Sequence, residues 1–354
     1  MQLGVLNLVD WYSSAATQAE RYQQVIEEGV LAEQLGFDTY WVGEHHFSHY
    51  ICPNPVPLLS AIAARTSRIR LGTGVSLGVH HDPIRLAEDY AMLDVVSGGR
   101  VDLVLGRGLY LQGYRGFNQP YAESRQRQEE CARIVRGAWT QSPFAYEGAF
   151  RSVQSLDLQP KPVQQPHPPL WIAGGRGPDS VLFAADEGLH LALPSVLGPA
   201  DAFGPLVQVY RERLREAGHD PANFHVSAGQ HTYLAATTEQ AEAEWEQHYM
   251  AYMRLVANEV RPELYDGTEL EEVGRRVAQS TNSDIYERMI RRNTKCGSPE
   301  SVAERICSLY DVVDMDHYWS YFGLGGIDSP KLFRAMELFA RDVMPAVRRH
   351  TGVA

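Results

Sequence analysis

The chain has no run of 18 or more uninterrupted apolar residues, so the sequence offers no candidate membrane span. Its start, MQLGVLNLVDWY, lacks the basic segment and long apolar stretch of a secretory signal, and reads as a first strand. Only four cysteines occur, Cys52, Cys131, Cys296 and Cys307. None has CxxC spacing, which argues against a zinc site or a disulfide framework and suits a reducing cytoplasm. Basic charge is also short. The 32 Lys and Arg stand against 44 Asp and Glu, a net charge of −12, and such a surface repels nucleic-acid phosphates. No glycine-rich turn follows the first strand, which disfavours a dinucleotide-binding open sheet.

What is present is a β-then-α rhythm that runs nearly from end to end. An alternating apolar run at Gln2–Leu8 precedes helical periodicity over Thr17–Leu35, closed by Gly36. Further strand-like runs follow at Thr39–Val42, Arg70–Thr73, Val101–Leu105 and Leu170–Ala173, then His190–Leu193, His225–Leu234 and Tyr318–Phe322. Helical patterns separate them, among them Pro55–Ala64, Pro83–Val96, Ser124–Thr140, Ser180–Glu187 and Asp201–Ala217, with a last one at Ser329–Arg349. Eight strands, each followed by helical sequence, predict an α/β fold of the (β/α)8 TIM-barrel type, as one domain over 1–354. Two segments break the rhythm. Phe144–Leu158 alternates around a Glu147-Gly148 turn and reads as a hairpin, and the polar stretch Asn258–Lys295 reads as a mobile, lid-like insertion.

In a barrel the chemistry sits where strands end, which turns a search for motifs into a test of position. The second strand ends in Glu44-His45-His46-Phe47, a carboxylate and two histidines suited to proton transfer. Consecutive side chains in extended chain point apart, so no metal site is read there. The third strand runs into Gly74-Val75-Ser76, where a glycine permits close approach of a flat ligand, and then His80-His81-Asp82-Pro83. After the fourth strand come Gly106-Arg107-Gly108-Leu109-Tyr110 and Ser124-Arg125, two guanidiniums beside a helix start that match a phosphomonoester. After the fifth comes Gly174-Gly175-Arg176-Gly177, leading to Ser180 at the next helix. Trp11, Tyr12, Tyr50, Tyr110, Tyr114, Phe117 and Trp319 are candidates for an aromatic pocket, with core packing as the competing reading.

These residues resemble, in order and spacing, the bacterial luciferase-like flavin monooxygenases. The markers are Gly43-Glu44-His45-His46-Phe47, Leu71-Gly72-Thr73, Asp82-Pro83-Ile84-Arg85, Ser97-Gly98-Gly99-Arg100 and Gly106-Arg107-Gly108-Leu109-Tyr110, then Ser124-Arg125, Gly174-Gly175, Gly297-Ser298-Pro299-Glu300 and Met336-Glu337-Leu338-Phe339. The resemblance implies an FMNH2-dependent monooxygenase that acts on O2 through a flavin C4a-(hydro)peroxide and inserts one oxygen into a small organic substrate. It implies FMN held by Arg107 and Arg125 with Gly174, Gly175, Arg176 and Ser180. It places Gly74 and Val75 beneath the ring, often through a non-prolyl cis peptide, with Tyr110 ordering the cofactor. His45 becomes the proton-handling residue and Glu44 the group that orients it. It further implies a separate flavin reductase and a homodimer built on the second and third helices. Two alternatives stay open: a deazaflavin-dependent reductase on the same barrel, and a non-catalytic flavin-binding subunit. One departure stands out. Gly106 occupies the place of a cysteine in the light-emitting catalytic subunit, which suggests extra room for another or bulkier substrate.

Overall fold

A computed structural model describes residues 1–175, 177–197, 200–260, 271, 275 and 294–352. Its strands, in chain order, are β1 (Gln2–Asn7), β2 (Thr39–Val42), β3 (Arg70–Thr73), β4 (Val101–Leu105), β5 (Phe144–Glu147), β6 (Ser152–Leu156), β7 (Leu170–Ala173), β8 (His190–Ala192), β9 (Val226–Leu234), β10 (Thr294–Gly297) and β11 (His317–Tyr321). The main sheet has nine strands in the order β10-β9-β11-β1-β2-β3-β4-β7-β8, and an added β9–β8 pairing closes it. Eight of the nine form the closed ring, all paired in parallel, with β10 outside it on the far half of β9. This is the predicted barrel. The ring strands lie within a residue or two of the predicted runs.

Local chemistry accounts for the element ends. Thr17 and Glu20 form a capping box at the start of helix α1 (Gln18–Leu35), and Gly36 closes it in the left-handed conformation at φ 83°. Asn54 caps α2 (Pro55–Ala63), and Asp82 accepts from the Ile84 and Arg85 amides at the start of α3 (Pro83–Ser97). The barrel interior is packed with large rings. Trp41 lies beside Gly72, where a Cβ would come within 2.5 Å of the indole nitrogen, and Trp319 fills the space left at Gly229. Beneath them a buried polar layer is satisfied internally: His317 Nε2 is 2.7 Å from Thr39 Oγ1, and its Nδ1 is 2.9 Å from Ser227 Oγ.

The predicted hairpin is the β5–β6 antiparallel pair, with Glu147 opposite Ser152. The insertion differs from expectation at both ends. Asn258 falls in the last turn of the helix Thr238–Glu259, and Thr294 and Lys295 belong to β10. From 261 to 293, apart from 271 and 275, the segment expected to form a lid lies outside the described residues. Sequence reading missed β10 because four residues, TKCG, carry too little periodicity to stand out from a polar stretch. No described helix is long and apolar enough to cross a membrane.

Candidate active site

The carboxyl ends of β1, β2, β3, β4, β7 and β8 surround a cavity of about 210 Å³. Leu6, Leu8, Trp41, Val104 and Ala173 supply its apolar floor, and Tyr50, Tyr110, Tyr252 and Trp319 are aromatic walls. Glu44, His45, His46, Gly74 and Val75 also line it. The sequence-predicted aromatic set therefore divides. Tyr50, Tyr110 and Trp319 reach this cavity, whereas Trp11 and Tyr12 border a separate hollow of about 410 Å³ with Asp10 and Arg21. Tyr114 and Phe117 instead pack around His80.

His45 stacks on Tyr50 with ring centroids 4.1 Å apart, and its amide donates to the Cys52 carbonyl at 2.9 Å. Its Nδ1 is buried and has no hydrogen-bond partner among the described residues. Enclosure pushes its pKa down to about 3, with His49 and His46 adding to the shift and Glu44 opposing it. The ring is therefore neutral at physiological pH. A phenol chain runs beside it: Tyr50 donates to Tyr252 at 3.0 Å, and Tyr110 to Tyr50 at 3.4 Å.

Glu44 does not orient His45 as the resemblance suggested. Its Oε1 lies 2.9 Å from His46 Nε2 and 2.7 Å from His81 Nε2. Its Oε2 accepts from Ser76 Oγ at 2.8 Å and the Leu77 amide at 3.2 Å, while its own amide donates to the Val75 carbonyl at 2.9 Å. The glutamate thus pins the loop after β3. Burial alone would raise its pKa, but the bonds from His46, His81 and Ser76 win and hold it down at about 2. One ligand-type atom each from Glu44, His46 and His81 lies within 4.8 Å of the others, a convergence that diverging neighbours His45 and His46 did not foreshadow. The carboxylate's acceptor positions are already filled by these four donors. The signal for His81 lay in the His80-His81-Asp82 run; for Tyr252, on a distant helix, the sequence carried none.

The loop that Glu44 holds contains a cis peptide between Gly74 and Val75. A Cβ on Gly74 would fall 2.5 Å from Leu6 Cδ1, so the backbone itself forms the cavity surface. Gly106 departs from expectation. Its missing side chain does not open room for substrate, because a Cβ there would stand 2.4 Å from Val75 Cγ2. Valine fills the gap.

The polar residues expected at a phosphate gather at the rim, outside the cavity lining. Arg107 Nη1 is 3.4 Å from Ser124 Oγ, and a Cβ on Gly175 would be 3.9 Å from Arg107 Nη2. Ser124 opens the helix Ser124–Thr140, and buried Ser180 lies in the first turn of the helix Asp179–Asp186. Arg125 is ion-paired with Asp179, with both side chains substantially exposed. Gly174 and Gly175 follow β7, and Arg176 lies outside the described residues. The donor set at this rim suits an FMN phosphate, and the unpartnered His45 Nδ1 and bare Gly74 backbone suit its ring.

The luciferase-like monooxygenase family model matches residues 1–314. The oxygenase component of the flavin-dependent trigonelline monooxygenase of Acinetobacter baylyi is 27% identical, over 97% of this chain and 96% of that one. The crystal structure of the monooxygenase RslO1 from Streptomyces bottropensis matches with a TM-score of 0.84 and 27% identity, covering 98% and 99% of the two chains. The oxygenating constituent of 3,6-diketocamphane monooxygenase from Pseudomonas putida, solved with FMN, shares the fold at a TM-score of 0.80 and 20% identity, covering 98% of each. With the family match spanning most of its length and a barrel of the same architecture, this chain belongs to the luciferase-like monooxygenase family.

Proposed function

We propose that this chain is the oxygenase component of a two-component system. It receives reduced FMN by diffusion from a separate flavin reductase and inserts one oxygen atom of O2 into a small, flat, largely apolar organic molecule. The observation that carries this reading is the pairing of an aromatic cavity, into which a neutral His45 brings an unpartnered nitrogen, with an arginine and serine cluster at its rim. The oxygenase-component relative supports the separate reductase. Bound reduced FMN supplies the two electrons that activate O2.

The chain's own residues then do the positioning. Gly74 and Val75 form the shelf under the ring, and Glu44 fixes that shelf through three bonds to residues 75–77. Arg107, Arg125 and Ser180, with Gly174, Gly175 and Arg176, hold the phosphate. Tyr110 and Tyr50 close one wall and exclude water. His45 handles a proton at Nδ1 as a neutral ring. Oxygen uptake measured with reduced FMN and with reduced deazaflavin tests the reading. Uptake and oxygenated product with FMN are expected, and hydride transfer from the deazaflavin without oxygen uptake would overturn it.

We further propose a cytoplasmic, single-domain protein that forms a homodimer through α2 and α3. Met92, Val95 and Val96, at i, i+3 and i+4 on α3, leave an apolar stripe exposed, which supports that face. Sedimentation as a monomer at micromolar concentration would refute the dimer.

A further inference from the structure

His45 is neutral and its Nδ1 is buried, so that nitrogen is poorly placed to draw protons from bulk solvent. A second group beside it spans that distance. The His81 side chain is 27% exposed and borders a small outer hollow, Glu44 is fully buried, and His46 forms part of the cavity wall. Both ring Nε2 atoms converge on the same carboxylate oxygen, at 2.7 Å for His81 and 2.9 Å for His46. The other oxygen is fastened by Ser76 and Leu77, so the carboxylate keeps its orientation while protons shift.

We infer that His81, Glu44 and His46 form a proton relay that carries a proton from solvent at His81 to the cavity at His46, serving the flavin-dependent oxygenation proposed above and resting on that reading. His46 enters the relay as its Nδ1–H tautomer, which leaves Nε2 free to accept; a proton then leaves protonated His81 Nε2 for Glu44 Oε1 and passes on to His46 Nε2. A proton then leaves the His46 ring for the cavity, and His81 is refilled from water. The cluster ends with its starting charge, and the hydrogen left on His46 Nε2 returns to Nδ1 by tautomer exchange before the next transfer. The demand is set by the overall balance: anionic reduced FMN, O2, substrate and one proton give FMN, oxygenated substrate and water. Without substrate the same proton is consumed, because anionic reduced FMN, O2 and one proton give FMN and hydrogen peroxide.

The surroundings tune the outer station. Burial lowers the His81 pKa, but the bond to Glu44 and the charges of Glu44 and Asp89 reverse this and raise it above the ordinary histidine value. Asp82, paired with Arg151, and Glu130 add negative charge nearby, and Arg127 with Arg151 adds positive charge. His80 stays neutral, pushed down to about 4 by burial and by His46. Cys52 and Cys131 remain thiols, raised by burial to about 12, and Tyr90 remains a phenol.

The test follows single-turnover oxidation of reduced FMN bound to the full chain, mixed with O2 across a pH series, with flavin affinity titrated for every variant. His81→Gln keeps a donor toward Glu44 but carries no proton. It is expected to bind FMN as the wild type does, to slow oxidation about a hundredfold above neutral pH, and to flatten the pH profile. His81→Ala is expected to be equally slow and to recover with added imidazole. A wild-type rate and pH profile in His81→Gln would overturn the relay. So would a slow His81→Ala with intact flavin affinity that imidazole does not restore. Wild-type protein that fails to bind reduced FMN would remove the reading the relay rests on, and the relay with it, an outcome the titration separates from the others.

Discussion

A Cβ atom added at Gly106 would stand 2.4 Å from Cγ2 of Val75 and 2.9 Å from its Cβ. Neither atom is the free end of a flexible chain. Valine is branched at Cβ and stiff at χ1, and its backbone carbonyl is tied to the Glu44 amide at 2.9 Å. Gly106→Ala therefore has to push residue 75 toward the cavity. Overpacking of this kind costs about 1–3 kcal/mol. Borne by the shelf proposed to carry the flavin ring, that converts to a loss of FMN affinity of roughly 5- to 150-fold. The assay is a flavin titration alongside a thermal melt, on Gly106→Ala, Val75→Ala and the double variant. Trimming Val75 removes the closer of the two clashes and leaves the Cβ contact, so the double variant should recover most of the affinity, with a coupling energy of about 0.5–3 kcal/mol. Wild-type affinity in Gly106→Ala, or simple additivity in the cycle, would refute the reasoning.

Arg107→Ala should weaken FMN binding by about 1.5–3 kcal/mol, the range for a charge-assisted hydrogen bond, and an unchanged titration would remove it from the phosphate site. Asp179 competes for Arg125 through an exposed ion pair worth about 1 kcal/mol or less, so Asp179→Asn should tighten FMN by at most about fivefold; weaker binding would count against Arg125 as a phosphate ligand. His45→Ala should oxidise reduced FMN with peroxide release and little oxygenated product, and full coupled turnover would end its proposed role. Acid should destabilise the fold through His231 and His317, whose burial depresses each pKa to about 3. The unfolded chain then binds more protons than the native one below the ordinary histidine value near 6.5, so stability falls as pH drops from there toward 3. The slope is about 1.4 kcal/mol per pH unit for each ring. Melting temperatures of the wild type and His231→Phe over that interval should diverge, with the shallower dependence in the variant, and parallel curves would refute it.

The barrel was legible because its signals are local. Each ring strand is a short apolar run, and each of the first helices carries its own punctuation, as with Thr17 and Gly36 around α1 or Asp82 ahead of α3. Position at the cavity was legible for a related reason: in this fold the residue after a strand faces one end of the barrel whatever its type, so Glu44, His45 and Gly74, which line the cavity, were nominated by position.

Partnership was not legible. Sequence adjacency made Glu44 the natural support for His45, yet the extended backbone turns neighbours apart and delivers Glu44 to His46, Ser76 and His81. A missing side chain at Gly106 read as open space until Val75, thirty-one positions earlier, proved to fill it. Tyr252 arrives at the cavity from a helix that no motif marked. By itself the sequence determined the barrel and which strand ends meet at the cavity, because periodicity and strand-end position are properties of short segments. Only the tertiary structure decided which carboxylate holds which histidine and what occupies each gap, because those depend on side-chain direction and on distances between strands that are remote in the chain.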